Sequence, residues 1–339
     1  MTAAIAAALA GTPRVRLATL PTPLEAGPRL PGGAELLMKR DDLTGLGMGG
    51  NKARKLELLC GAARAEGADA LVTVGAEQSN HARMSAAAGA VLGLETHLVL
   101  GGDPEAPPTG NRLLAELFGA TVHQPGSDDW GVLSAELERV TERLYEGGRR
   151  PYAFPLGGST ATGALGFMLA WAELMEQCRS LGVRPSAIVH ASSTGGTHGG
   201  LLAGRAADAA SGAPVPDVVA IGVAKEPGRD LAADAGRLAE ECLAAAGLPG
   251  AVLGGRPELD ERWIGPGYAV PSEAGDAAIA WAARHGGWVL DRTYAGKGLA
   301  GLLGRAREGR HGPGETVVFW HTGGQPAVFA PGGAPGRGR

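Results

Sequence analysis

Short apolar runs alternate with longer stretches of helical periodicity from about residue 50 to the end of the chain. In runs such as Ala70-Leu71-Val72-Thr73-Val74 the apolar side chains occupy consecutive positions. That pattern belongs to a strand covered on both faces of a parallel sheet. Strands are predicted over 70–74, 96–100, 152–155, 187–191, 218–223 and 316–320. Helices are predicted between them over 80–92, 112–118, 161–181, 198–210 and 231–246. Alternation of this kind marks an α/β protein, and two sheets suit the pattern better than one. Gly101-Gly102-Asp103-Pro104 and Gly157-Gly158-Ser159-Thr160 read as loops, and no repeat of solenoid length interrupts the order.

The loops carry the chemistry. Glycines at 45, 47, 49 and 50 precede Lys52, which begins a helical stretch within reach of whatever the loop holds. Gly75-Ala76-Glu77-Gln78-Ser79-Asn80-His81 follows a strand, with Ser79 or Asn80 placed to cap the next helix. The unpaired N–H groups of such a helix start suit a carboxylate or phosphate. Ser192-Ser193-Thr194-Gly195-Gly196-Thr197-His198-Gly199-Gly200 also lies between a strand and a helix, where small residues let backbone amides converge on an anion. It is neither a dinucleotide fingerprint nor a P-loop. Tyr294-Ala295-Gly296-Lys297 and His321-Thr322-Gly323-Gly324 are both expected at strand exits, the place where open α/β sheets bind ligands.

Composition narrows the function classes. The 339 residues suffice for two domains with a real core. Lysine plus arginine minus acids gives 31 − 35 = −4, and without a long basic run nucleic-acid binding has little electrostatic support. Cys60, Cys178 and Cys242 form no CxxC pair, so buried free thiols and a reducing compartment are expected. The first ten residues are too short for a signal peptide, and no apolar stretch reaches a membrane span. A cytoplasmic location without membrane partner is therefore expected, and no metal. Residues 330–339 have almost nothing to bury and are expected to fray.

Taken together, Lys39-Arg40-Asp41-Asp42, Gly49-Gly50-Asn51-Lys52-Ala53-Arg54-Lys55, Gln78-Ser79-Asn80-His81, Gly157-Gly158-Ser159, Gly163-Ala164-Leu165-Gly166, Tyr294-x-Gly296-Lys297 and His321-Thr322-Gly323-Gly324 carry a resemblance. The chain resembles the 1-aminocyclopropane-1-carboxylate deaminase/D-cysteine desulfhydrase family from about Pro13 to Ala330. The resemblance implies pyridoxal 5'-phosphate as cofactor and the tryptophan-synthase-β-like fold, fold type II, with two three-layer α/β/α domains. A small domain over 57–165 would be inserted into a large one made of 1–56 and 166–330, with 331–339 as a flexible tail. It also implies a homodimer.

By the same resemblance Lys52 holds the cofactor in Schiff-base linkage and then removes the Cα proton of the substrate. Asn80 bonds the phenolic oxygen of the cofactor, while Gly195, Gly196, Thr197, His198 and Gly199 form the phosphate cup, with Lys55 in reach. Thr322 meets the pyridine nitrogen, a neutral contact that makes a milder electron sink and suits β-elimination. Gln78, Ser79, Asn80, His81, Gly158, Tyr268 and Tyr294 surround the substrate, with Ser79 and Tyr294 counted beside Lys52 as catalytic. Cyclopropane deaminases of the family carry Glu after the matching tyrosine and Leu before the paired glycines, whereas this chain has Ala295 and Thr322. The expectation is a lyase for a small cysteine-like amino acid, D-cysteine first, releasing pyruvate, ammonia and sulfide. Cyclopropane deamination and L-cysteate sulfo-lyase activity are the alternatives, and a non-catalytic binding protein is the reading outside enzymes. Glu77 either turns to solvent, where an acid suits a helix start, or enters the pocket and repels a sulfonate.

Overall fold

The structure is a computed structural model and describes residues 2–212, 214–224, 228–333 and 335. The chain runs α1 (Thr2–Ala8), β1 (Leu24–Ala26), β2 (Glu35–Arg40), α2 (Lys52–Ala65), β3 (Ala70–Gly75), α3 (Asn80–Leu92), β4 (Glu95–Leu100), α4 (Gly110–Leu117), β5 (Thr121–His123) and α5 (Trp130–Glu146). It continues through β6 (Pro151–Phe154), α6 (Ala161–Ser180), β7 (Ala187–Ser192), α7 (Gly196–Ala209), β8 (Asp217–Gly222), α8 (Leu231–Ala245), β9 (Glu258–Asp260), α9 (Glu273–Gly286), α10 (Ala295–Arg307) and β10 (Thr316–His321). The strands form two sheets, in the orders β1-β2-β10-β7-β8-β9 and β5-β4-β3-β6. Among the described residues every strand pair is parallel except β1 with β2. This is the α/β architecture with parallel sheets that the alternating pattern predicts, in the fold type II arrangement.

Each strand and helix predicted from periodicity is present, with ends that differ by at most two residues. Ala70–Gly75 is buried at every position, as its unbroken apolar run requires. Helices α1, α5, α9 and α10 and the strand β2 are not among the predicted elements, and α9 and α10 are rich in alanine and glycine. The three-residue strands β1, β5 and β9 are too short to display a period. One expectation is overturned. Tyr294 does not leave a strand: the stretch 287–291 joins no sheet. Trp288 and Leu290 plug the core there, and the Asp291 carboxylate accepts the N–H groups of residues 293–295 that lead into α10.

The largest core cluster packs α6 against α7 and β10 through Phe167, Trp171, Leu201 and Trp320. Gly200 makes that close approach possible, since a Cβ there would lie 2.2 Å from the Ala164 carbonyl oxygen. Cys60, Cys178 and Cys242 are free thiols in the interior. Residues 330–333 still make contacts, with the Arg292 guanidinium donating to the Gly332 carbonyl at 2.7 Å. Residues 334 and 336–339 of the expected tail lie outside the described residues.

Helix α2 is pinned by charge. Arg54 donates to both Asp41 oxygens at 2.8 Å and to Glu173 of α6 at 2.8 and 2.9 Å. Lys39 donates to Glu173 at 2.5 Å and to Gln177 at 2.6 Å. Burial opposes the Arg54 charge, but Asp41 and Glu173 outweigh it and hold its pKa above the ordinary value. The helix that begins with Lys52 is thereby fixed to the exit of β2 and to α6.

Candidate active site

The exits of β3, β7 and β10 open on one pocket, lined by the first turns of α2, α3 and α7 and by the residue before α10. Lys52, Ser79, Asn80, Thr197, Tyr294 and Thr322 all face it. The glycine turn delivers the lysine: at Gly49, φ is +77° and a Cβ would lie 1.9 Å from the Asp42 carbonyl oxygen. Asn51 then donates its backbone N–H to the Thr322 carbonyl at 2.9 Å and its side-chain amide to the Thr197 hydroxyl at 3.1 Å. One residue thus ties the start of α2 to β10 and α7.

Lys52 and Lys55 sit one turn apart but are held differently. The Lys55 ammonium donates to the Gly157 carbonyl at 3.1 Å and the Ser159 hydroxyl at 3.4 Å. Lys52 opens on the pocket with no charge partner beside it among the described residues, and burial alone lowers its pKa to about 8. Burial and then the neighbouring Lys52 push Lys55 well down as well.

Two helix starts point inward. In α7, Gly195 is the N-cap at φ +82°, so the backbone N–H groups of Gly196, Thr197 and His198 have no partner within the helix. Gly196 must lack a side chain, because a Cβ there would meet the Lys55 nitrogen at 2.6 Å and the Ser159 oxygen at 2.7 Å. In α3, the Ser79 hydroxyl accepts the Ala82 N–H at 3.2 Å, leaving the N–H groups of Asn80 and His81 free for an anion.

The side chains around α3 have assigned donors. Thr73 donates its hydroxyl to the Phe154 carbonyl at 2.9 Å and lies 3.0 Å from His81 Nε2. His81 therefore carries its proton on Nε2, and its buried Nδ1 has no partner among the described residues. Burial, then Lys52 and Lys55, hold its pKa well below the ordinary histidine value. Asn111 of α4 donates its amide to the Gln78 carbonyl at 2.8 Å and to Asn80 Oδ1 at 3.0 Å. Asn80 consequently keeps its NH2 for another acceptor.

Opposite the lysines, the hydroxyls of Tyr268 and Tyr294 meet at 2.5 Å. Burial first, then Tyr268 and Asp291, raise the Tyr294 pKa well above its ordinary value, and burial raises that of Tyr268. Both rings remain protonated at neutral pH. Trp130, the first residue of α5, packs edge-on to Tyr268 with ring centroids 6.5 Å apart.

Not every predicted residue reaches the pocket. Gln78 turns to α4, where Oε1 accepts the Asn111 N–H at 2.9 Å and Nε2 donates to the Thr109 carbonyl at 3.1 Å. Gly158 backs the wall behind His81, since a Cβ there would meet His81 Cε1 at 3.2 Å. The His198 ring contacts His190 at 3.1 Å, and the Gly199 N–H is spent on the Gly195 carbonyl at 2.8 Å. Glu77 lies 3.7 Å from the Arg112 guanidinium and does not line the pocket, which removes the argument against a sulfonate. Asn51, Trp130 and Thr194 line the pocket although they were not among the predicted site residues. Asn51 was detectable beside Lys52, whereas nothing near Trp130 in the chain signals a site.

The arrangement fits pyridoxal 5'-phosphate. The free N–H groups of α7 with Lys55 suit its phosphate, the Asn80 amide and Thr322 offer polar contacts to its ring, and Lys52 presents an amine for its aldehyde. Comparison with known proteins agrees. The profile of the family described as "Pyridoxal-phosphate dependent enzyme" matches residues 15–323. Over 325 residues the chain is 40% identical to a D-cysteine desulfhydrase of Salmonella choleraesuis strain SC-B67, covering 94% of this chain and 96% of the relative. The D-cysteine desulfhydrase of Salmonella typhi matches to the same extent. A crystal structure described as an ACC deaminase homologue superposes with a TM-score of 0.88 at 36% identity, covering 98% of each chain. The processed form of threonine deaminase isoform 2 from Solanum lycopersicum shares the fold, with a TM-score of 0.64 at 18% identity over 95% of this chain and 84% of that one.

Proposed function

Because this chain belongs to the pyridoxal-phosphate dependent enzyme family, we propose that it is a lyase acting on a cysteine-like amino acid by α,β-elimination. D-cysteine is the first substrate, giving pyruvate, ammonia and sulfide. The observation that carries the reading is one pocket shared by a lysine of pKa about 8, a carboxylate-binding helix start and a pair of protonated tyrosines.

The cofactor, when bound, supplies the electron sink for the pair left at Cα. The free N–H groups of Asn80 and His81, with the Ser79 hydroxyl, hold the substrate carboxylate. Lys52 takes the Cα proton on Nζ. Tyr294 acts as an acid rather than a base, because its raised pKa keeps the proton available for the departing sulfur. Asn80 donates to the cofactor's phenolic oxygen, Thr322 meets the ring nitrogen, and the start of α7 with Lys55 holds the phosphate. His198 contributes there through its backbone.

The substrate order rests on residues near Tyr294. Ala295 is fully buried in the first turn of α10, so the carboxylate that follows the tyrosine in cyclopropane deaminases is missing. The likeness to an ACC deaminase homologue keeps cyclopropane deamination as the second reading. A coupled assay separates them: pyruvate and sulfide from D-cysteine are expected, whereas 2-oxobutyrate from the cyclopropane amino acid with no sulfide would overturn the order. L-cysteate belongs in the same panel with sulfite as its readout.

Capture of the cofactor should depend on pH. Only the free amine reacts, and a pKa of about 8 leaves roughly a tenth of Lys52 unprotonated at neutrality. The initial rate of cofactor uptake by the cofactor-free protein should rise as pH increases towards 8 and level off above it, followed by visible absorbance. A rate still rising towards pH 10 would place the amine in water.

We further propose a homodimer in the cytoplasm. Among the described residues no helix is long and apolar enough to cross a membrane. Residues 57–165 form the smaller inserted domain in this reading, with both crossings inside helices α2 and α6.

A further inference from the structure

Lys297 is the member of the Tyr-x-Gly-Lys motif left without a task. It sits in the first turn of α10, fully buried, three residues after Tyr294. A cation there works against the helix dipole, and its burial adds a desolvation cost that Asp291 only partly offsets. Such a residue is explained by what its ammonium holds. It donates to the carbonyls of Ile264 at 2.7 Å and Gly267 at 2.8 Å, both in the loop that carries Tyr268.

That loop has few backbone hydrogen bonds of its own among the described residues. Its own backbone hydrogen bonds, Ile264 to Glu261 and Val270 to Gly267, are long at 3.4 Å. Ala269, directly after Tyr268, adopts φ +58°, a left-handed conformation that a residue with a Cβ enters at a cost. Tyr294 is fixed independently: Asp291 accepts the N–H groups of Thr293, Tyr294 and Ala295 at 3.0, 2.8 and 2.9 Å. The helix start thus positions one tyrosine through Asp291 and the other through Lys297.

We propose that Lys297 is a positioning residue that docks the Tyr268 loop onto α10 and so holds the Tyr268 hydroxyl on that of Tyr294, completing the proton donor for the leaving group. The inference rests on the lyase reading given above. It makes a prediction that depends on the leaving group, since a departing thiolate needs a proton and a departing chloride does not.

The test compares Lys297→Met and Tyr268→Phe with the wild-type holoenzyme on D-cysteine and β-chloro-D-alanine, alongside backbone amide exchange. In Lys297→Met, kcat with D-cysteine should fall by about 10–100-fold while β-chloro-D-alanine changes by less than about threefold. Tyr268→Phe should give the same contrast, and the double variant should be no worse than Tyr268→Phe alone. Amides of 264–270 should exchange faster in Lys297→Met, with α10 beyond its first turn unchanged. Equal losses on the two substrates, multiplicative losses in the double variant, or unaltered exchange of the loop would overturn the proposal. If Lys297→Met does not fold, Lys297→Gln, whose shorter side chain does not reach both carbonyls, takes its place and is read by the same substrate contrast and loop exchange. If the wild type cleaves neither substrate, the lyase reading falls, and the exchange experiment alone decides whether Lys297 holds the loop.

Discussion

Lys52→Ala is expected to abolish turnover, with a loss of more than about a thousandfold, and to remove the protein's visible cofactor absorbance. In the proposed mechanism the same nitrogen anchors the cofactor and takes the Cα proton, so both functions should go together. Lys55 cannot substitute. Its ammonium is spent on the Gly157 carbonyl and the Ser159 hydroxyl. The fold should not suffer, because Lys52 brings a desolvated amine and no ion pair to the native state. Against the cofactor-free wild type, its removal should leave the melting temperature unchanged or slightly raised. Pyruvate release, the visible spectrum and thermal melting together check this. Residual turnover above about one per cent would mean that another group takes the proton.

Arg54→Met should be the most destabilising single change near the site, at about 3–5 kcal/mol. The reason is what it leaves behind. Asp41 is fully buried and would lose both its guanidinium contacts, keeping the Thr22 hydroxyl at 2.8 Å. Glu173 would retain only Lys39 and the Thr22 contacts. Two carboxylates would then share one ammonium in the interior, and the sheet exit, α2 and α6 would be free to separate. The denaturation midpoint should fall with little change in the slope. Replacing Arg54 and Asp41 together by apolar residues should recover part of the loss, since the destabilisation comes from orphaned charge rather than from the missing pair itself.

Much of the fold was legible along the chain because parallel strands buried on both faces must be apolar throughout. Ala70–Val74 and Thr316–Trp320 could hardly read otherwise. Helices α1, α5, α9 and α10 and strand β2 escaped notice; α9 and α10 are rich in alanine and glycine, and what they bury is set by what they pack against. In the site, the lysine after its glycine turn, the Ser79-Asn80 helix start and the Gly195–Thr197 nest were visible because each is local: a cap or a turn needs particular residues within a few positions. Tyr268 and Tyr294 were named through family resemblance, but their contact was not legible, since 26 residues separate them in the chain. Trp130 gave no signal at all, and its place beside Tyr268 depends on how the two sheets face each other.

Sequence alone determined the residue types that pyridoxal phosphate chemistry needs and the order of strands and helices that presents them, because both follow from short-range pattern. Tertiary structure decided which of those groups are available to react. Two lysines one turn apart look equivalent in the chain, yet Lys55 is tethered and Lys52 is left free. Glu77, ambiguous by position, is drawn towards Arg112 and away from the pocket. The amide of Asn80 acquires its direction from Asn111, and the two tyrosines acquire each other from Asp291 and Lys297. Each of these outcomes depends on burial and on partners distant in the chain, which remove water and fix donors in ways that no local pattern encodes.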